Sequence, residues 1–141
     1  MIEVVNRQRH RKIDPKHWAG FAQKALGVIG RDQQSVTIAF VSKRRIRELN
    51  KRFRGLDQVT DVLSFPTAED AVTDSADKTL GDIAIAVEQA EEQARANSLA
   101  FELEIAQLIL HGLLHLCGYD HETDDGEMDR LELRFRRKLG I

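Results

Sequence analysis

A single cysteine, Cys117, stands in a chain of 141 residues, which excludes a disulfide within the chain and fits a reducing compartment. Long apolar runs are missing too, so no stretch is suited to cross a bilayer. The opening MIEVVNRQRHRK alternates like a strand and lacks the apolar core of a secretory signal. The expectation is a cytoplasmic protein with no membrane partner. Nor is there an excess of one charge: 21 Lys and Arg stand against 23 Asp and Glu, a formal net charge of -2. A polyanion would therefore have to be met by a local patch. What is present is 42% apolar residues, enough to build one core, and the chain reads as a single domain over residues 1 to 141.

No internal repeat is visible, and the elements are mixed. Ile2 to Val5, Val36 to Val41, Thr60 to Phe65 and Leu80 to Val87 read as strands, the third closed by Pro66. Asp14-Pro15 opens a helix with Trp18, Phe21, Ala25 and Ile29 on its apolar face, ended by Gly27 and Gly30. Ser42 caps a second helix, with Ile46, Leu49 and Phe53 at helical spacing and turned inward. The polar stretch PTAEDAVTDSADKT reads as a mobile loop. From Ser98, a candidate cap, a long apolar helix runs to Cys117, and a last helix carries Met128, Leu131, Phe135 and Leu139 inward.

The long helix keeps one polar stripe, Glu104, Gln107, His111 and His115, which lies within roughly 80° at about 100° per residue. A buried polar stripe costs free energy unless something satisfies it. His111 and His115, four residues apart, share a face and can direct imidazole nitrogens at one ion. Gly118 can turn the chain back through the left-handed conformation and bring His121 to the same ion. Three neutral histidines leave a fourth position open to water, as in catalytic zinc sites. Cys117, about 200° around the helix from His115, belongs with the core instead. Asp120 either orients a histidine or is solvated; the sequence leaves both readings open.

Many hydrolytic zinc sites carry a glutamate base directly after the first histidine, and here that position is Gly112. Its absence counts against peptide hydrolysis. Phosphodiester cleavage makes a different demand, the stabilisation of charge building on phosphate, and Gly112 would leave space beside the ion. Arginines suit that task, and Arg44, Arg47, Lys51 and Arg54 recur along one face of the second helix in SKRRIRELNKRFRG. Read as charge alone, this stripe is better explained as a solvated helix face, as most charge runs are.

HGLLHLCGYDH, with VTDVLSFP (Val59 to Pro66), LGDIAI (Leu80 to Ile85) and RFRG (Arg52 to Gly55), resembles the YbeY family of endoribonucleases and ribosomal RNA maturation factors. The likeness runs from about Val36 to Phe135. It implies one zinc ion per chain held by His111, His115 and His121. It also implies that Arg54, at the family's active-site arginine, contacts the RNA phosphate. The expected catalytic residues are Arg54 and His115, and the basic stripe of Arg44, Arg47, Lys51 and Arg54 supplies the candidate RNA-binding residues. The fold implied is a single α/β domain, with a small, mostly parallel four-stranded sheet, about five helices and the metal site on a central helix and its following loop. The partners implied are ribosomal RNA, the small ribosomal subunit with its proteins, and the GTPase Era. The activity implied is processing of the small-subunit 3′ end, together with ribosome quality control. One departure is Val59, where the family commonly has proline before TDVLSFP.

Two further classes fit parts of the pattern. A metallopeptidase of related site geometry would cut peptides without needing Arg54. A non-catalytic ribosome assembly factor would use zinc as a structural staple, although such staples normally have four protein ligands. Three imidazoles bind nickel or copper as well as zinc, so the metal depends on supply.

Overall fold

The computed structural model describes residues 1–67, 79–120 and 122–141. Most of the polar stretch between Pro66 and Thr79, read as a loop, lies outside the described residues, as does His121. Among the described residues there are four strands, β1 (Ile2–Asn6), β2 (Ser35–Val41), β3 (Val62–Pro66) and β4 (Thr79–Ala86), and five helices. The helices are α1 (Pro15–Ile29), α2 (Lys43–Arg54), α3 (Val87–Ala96), α4 (Phe101–Leu116) and α5 (Glu127–Leu139), and the order along the chain is β1-α1-β2-α2-β3-β4-α3-α4-α5.

The strands form one sheet in the order β1-β2-β4-β3, parallel between β1 and β2 and between β2 and β4, with β3 antiparallel at the edge. The expected mostly parallel four-stranded sheet is thus the one found. β2 buries both kinds of position unequally, with Val36, Ile38 and Phe40 fully inside. On one face those residues meet Ile83 and Ile85 of β4 and the apolar sides of α1, α4 and α5. On the other face a smaller cluster of Val41, Leu63, Ala84 and Ala86 receives Ile46 of α2. The sheet therefore separates a thick helical layer carrying α4 from a thin one carrying α2.

Local chemistry sets the boundaries. Asp14 caps α1 by accepting hydrogen bonds from the backbone N–H of Lys16 and His17, and Pro15 follows at the first helical position, where its missing N–H costs nothing. The helix ends at Gly30 and runs through Gly27, which does not terminate it. Ser42 caps α2 through Arg45 N at 3.1 Å, as expected. Gly81 explains the LGDIAI glycine: its φ is +145°, and a Cβ there would lie 2.2 Å from the Phe65 carbonyl oxygen. No side chain fits where β3 crosses that closely.

Three expectations are corrected. β4 stops at Ala86, and Val87 begins α3, a helix the apolar alternation of the strand concealed. Ser98 is not a cap; it takes a positive φ of 54° in the turn between α3 and α4, and α4 starts at Phe101 after Ala100. Phe53 does not face inward, because the buried side of α2 is formed by Ile46 and Asn50, and Phe53 is 57% exposed. No single helix among the described residues is long and apolar enough to cross a membrane.

Candidate active site

Helix α4 is buried along almost its whole length, including Ile105, Ile109, Leu110, Leu113 and Leu114, so packing fixes the orientation of its last two turns. Gly112 explains how it sits so close to the sheet: a Cβ there would meet Ile83 Cδ1 at 3.0 Å and Cγ2 at 3.1 Å. This corrects the reading that Gly112 leaves room beside an ion. The missing side chain points at β4, and the glycine serves helix–sheet contact. A Ser64 hydroxyl on β3 donates to the Gly112 carbonyl at 3.2 Å and ties the edge strand to the same turn.

The end of α4 closes as a Schellman motif. Gly118, at φ +98°, donates to the His115 carbonyl, and Tyr119 donates to the Leu114 carbonyl. The chain reverses there, as the glycine predicts. Asp120 then accepts from the Glu122 backbone N–H at 3.0 Å, so its carboxylate shapes the loop locally.

His111 and His115 project from this last turn with ring centroids 4.7 Å apart and planes at 76°. Their Nε2 atoms lie 3.1 Å from each other, near the roughly 3.3 Å that separates two ligands of a tetrahedral ion at about 2.0–2.1 Å per bond. On its far side His111 Nδ1 meets Glu132 Oε1 at 2.7 Å, and Arg136 Nη2 donates to Glu132 Oε2 at 3.0 Å. Burial pushes the Glu132 carboxyl up, but the His111 hydrogen bond and the charges of His111, Arg136 and His115 outweigh it and hold Glu132 below the ordinary range. An ionised Glu132 keeps a proton on Nδ1 and leaves Nε2 for the cleft, the arrangement seen around metal-bound histidines. Among the described residues, which do not include His121, no group of three His, Cys, Asp or Glu side chains makes a metal-holding set. The two imidazoles nevertheless fit two ligand positions of zinc.

Sequence reading missed Glu132. The available signal was an acid and a base four apart, Glu132 and Arg136, immediately beside the inward stripe of α5. It also missed a buried polar link behind the site. With its amide oriented to donate, Gln93 of α3 bridges Asp61 at 3.0 Å and Glu104 at 3.1 Å. Burial, and then the Asp61 charge, hold the Glu104 carboxyl above its ordinary value. Thus one member of the polar stripe is satisfied by α3, the helix the sequence concealed. Cys117 is partly buried against the core, and burial pushes its thiol up, which agrees with its placement away from the site.

His111, His115, Ser64, Asp120 and Arg54 line one cleft of about 510 Å³ between α4, β3 and the end of α2. Arg54 is the last residue of α2, exposed just before the left-handed Gly55. The remaining basic candidates do not line this cleft. Arg44 pairs with Glu48 at 3.5 Å, and Arg47 donates to Asp57 at 2.8 Å, while Lys51 is exposed one turn before Arg54. Arg44 stands roughly 15 Å further along the helix axis, at about 1.5 Å per residue. The structure therefore brings together Arg54, His111 and His115 and leaves the stripe behind Arg54 on the solvent side.

A small α/β domain with two convergent imidazoles and an arginine across one cleft defines the class of site. The chain belongs to the endoribonuclease YbeY family, whose description matches residues 3–140. It is 44% identical to endoribonuclease YbeY of Alkaliphilus metalliredigens over 99% of this chain and 96% of that one. It is 47% identical to the Koribacter versatilis protein of the same name over 85% and 72%. A Thermotoga maritima protein solved in solution superposes with a TM-score of 0.64 at 31% identity, covering 99% of this chain and 89% of the other. Membership supports an endoribonuclease role, that of a nuclease hydrolase.

Proposed function

We propose that the protein is a zinc-dependent, single-strand-specific endoribonuclease acting in ribosomal RNA maturation, at the small-subunit 3′ end, and in ribosome quality control. The observation that carries the reading is the shared cleft: Arg54 on one wall and the His111–His115 pair on the other. His111, His115 and His121 would hold the ion, which when bound supplies Lewis acidity and acidifies water near neutral pH.

The chain's own groups account for the rest. Arg54, exposed on the cleft wall and with no ion pair among the described residues, offers a guanidinium fork to two phosphate oxygens. It is worth most where charge accumulates in the transition state. Glu132 holds the proton on His111 Nδ1, and the Gly118 reversal carries the chain back toward the cleft. The proposed partners are ribosomal RNA, the small ribosomal subunit with its proteins, and the GTPase Era, in the cytoplasm; they follow the family resemblance. Gly112 bears on the peptidase alternative. A glutamate there would point at Ile83 and not into the cleft, so the position offers no general base.

The test is cleavage of a labelled single-stranded RNA carrying a small-subunit 3′ precursor sequence, by zinc-loaded parent, His115→Ala and Arg54→Ala. Loss of cutting in both variants with unchanged circular dichroism supports the reading. Equal cutting by parent and His115→Ala, or cutting by none, returns the assignment to an assembly factor with structural zinc. Peptide cleavage that survives Arg54→Ala returns it to a metallopeptidase.

A further inference from the structure

Phe53 is the feature the fold leaves unexplained. It is 57% exposed, while the buried side of its helix is made by Ile46 and Asn50. Its ring is nevertheless held: it meets Phe65 of β3 edge to face, centroids 5.2 Å apart and planes at 67°. Each member of this pair directly precedes a residue of the cleft wall, Phe53 before Arg54 and Phe65 before Pro66. The Arg52 guanidinium lies 5.4 Å from the Phe53 centroid. A braced aromatic thus stands next to the cleft wall, with Arg52 over its ring and Arg54 following it in the chain.

From this geometry we infer that Phe53, braced by Phe65, is a stacking platform for an unpaired base of the nucleic-acid strand whose phosphate lies at Arg54. The inference rests on the nuclease reading and adds a subsite to it. Arg52 and Arg54 flank Phe53 in the chain as phosphates flank a base in a strand, and Lys51 adds a third cation in the same last turn. That charge pattern favours a polyanionic strand over an apolar protein surface. A ring face accepts every base, so the platform is sequence-tolerant. It also discriminates between strands, because a base inside a duplex already has both faces covered. Single-strand preference would then come from α2 and β3 rather than from the histidines.

The experiment measures binding of a fluorescein-labelled 2′-O-methyl single strand, verified intact afterwards, to parent, Phe53→Leu and Phe53→Trp. The same strand carrying abasic sites is run alongside, and cleavage of the unmodified RNA is assayed with the same proteins. Stacking predicts roughly tenfold weaker binding by Phe53→Leu, which keeps apolar bulk but loses the ring. It further predicts restoration by Phe53→Trp, and no difference between parent and Phe53→Leu on the abasic strand. Unchanged binding by Phe53→Leu, or equal weakening on intact and abasic strands, overturns the platform while leaving the nuclease reading in place if the parent cuts. A parent that neither binds nor cuts overturns the nuclease reading and the platform with it. A Phe53→Leu variant that binds RNA normally but changes oligomeric state by sedimentation shows a protein contact surface and overturns the inference.

Discussion

The two walls of the cleft are built by opposite means. On one wall α4 is buried on nearly every side, pressed onto Ile83 at Gly112, and its histidines point where packing sends them. On the other wall α2 touches the sheet mainly through Ile46, and its other face is charged and solvated. Arg54 is placed there by the end of the helix, with Gly55 turning the chain at once. Fold and chemistry should therefore be inseparable on the α4 wall and separable on the α2 wall. A site of this kind fixes its imidazoles rigidly and lets a long cationic side chain reach across.

The harshest way to break that contrast is Gly112→Glu. It forces a side chain into 3.0 Å contact with buried Ile83 and takes a carboxylate out of water, at a cost of several kcal/mol against a total stability of about 5–15 kcal/mol. The expected outcome is loss of a cooperative thermal transition by circular dichroism. Gly112→Ala should cost about 1–3 kcal/mol. A Gly112→Glu protein melting like the parent would mean that α4 does not face Ile83. On the opposite wall, Arg54→Ala should lower kcat/KM for RNA cleavage by roughly 10²- to 10³-fold, with stability within about 0.5 kcal/mol of the parent. A large fall in melting temperature for Arg54→Ala would erase the distinction between the walls.

The same contrast sets what the sequence makes legible. The four strands, the Asp14 and Ser42 caps, the His111–His115 face and the Gly118 reversal all follow from short-range rules of period, capping and backbone freedom. Those rules place the α4 wall well, because a helix buried all round announces itself by composition. They fail where the determinant is a distant partner. Ala86 and Val87 continue the apolar run of β4, so nothing local marks the start of α3. Phe53 recurs with Ile46 at helical spacing, yet α2 touches only a narrow strip of sheet and leaves the ring outside. Glu132 is one surface-like charge among many on α5 until the fold sets it 2.7 Å from His111. Gly112 invites a chemical explanation because of its neighbours in sequence, whereas its reason is a side chain on β4.

Glu132 sharpens the account of the α4 wall, since it acts on the site only through His111. Glu132→Gln keeps the size and an acceptor oxygen but removes the charge that Arg136 and His111 share. The expected outcome is about 10- to 100-fold weaker zinc binding in a chelator competition, with a smaller change in the thermal midpoint of the metal-free protein. Unaltered zinc affinity would show that packing alone orients His111. Glu132→Ala should be worse on both counts, because it leaves the partly buried Arg136 guanidinium without its carboxylate partner.

The mildest test concerns Glu104, one of the polar residues the α4 wall has to tolerate. It is 7% exposed and faces Gln93 of α3, Asp61 before β3, and Arg136 of α5, with His111 and Glu132 lining the same cavity. Burial first, and the Asp61 charge second, raise its carboxyl above the ordinary glutamate value, against a smaller lowering by Arg136. Between the unfolded and the folded values the folded protein holds more protons, so stability falls as pH rises through that window, and the full penalty is present above it. Glu104→Gln removes the titration and keeps an oxygen to accept from Gln93. The melting temperature at pH 7.5 should therefore rise by about 2–4 °C for each kcal/mol recovered, and the gain should vanish toward pH 4, where the parent's carboxyl is itself becoming neutral. A gain that is equal at both pH values would mean that packing, and not charge, is what Glu104 costs the helix.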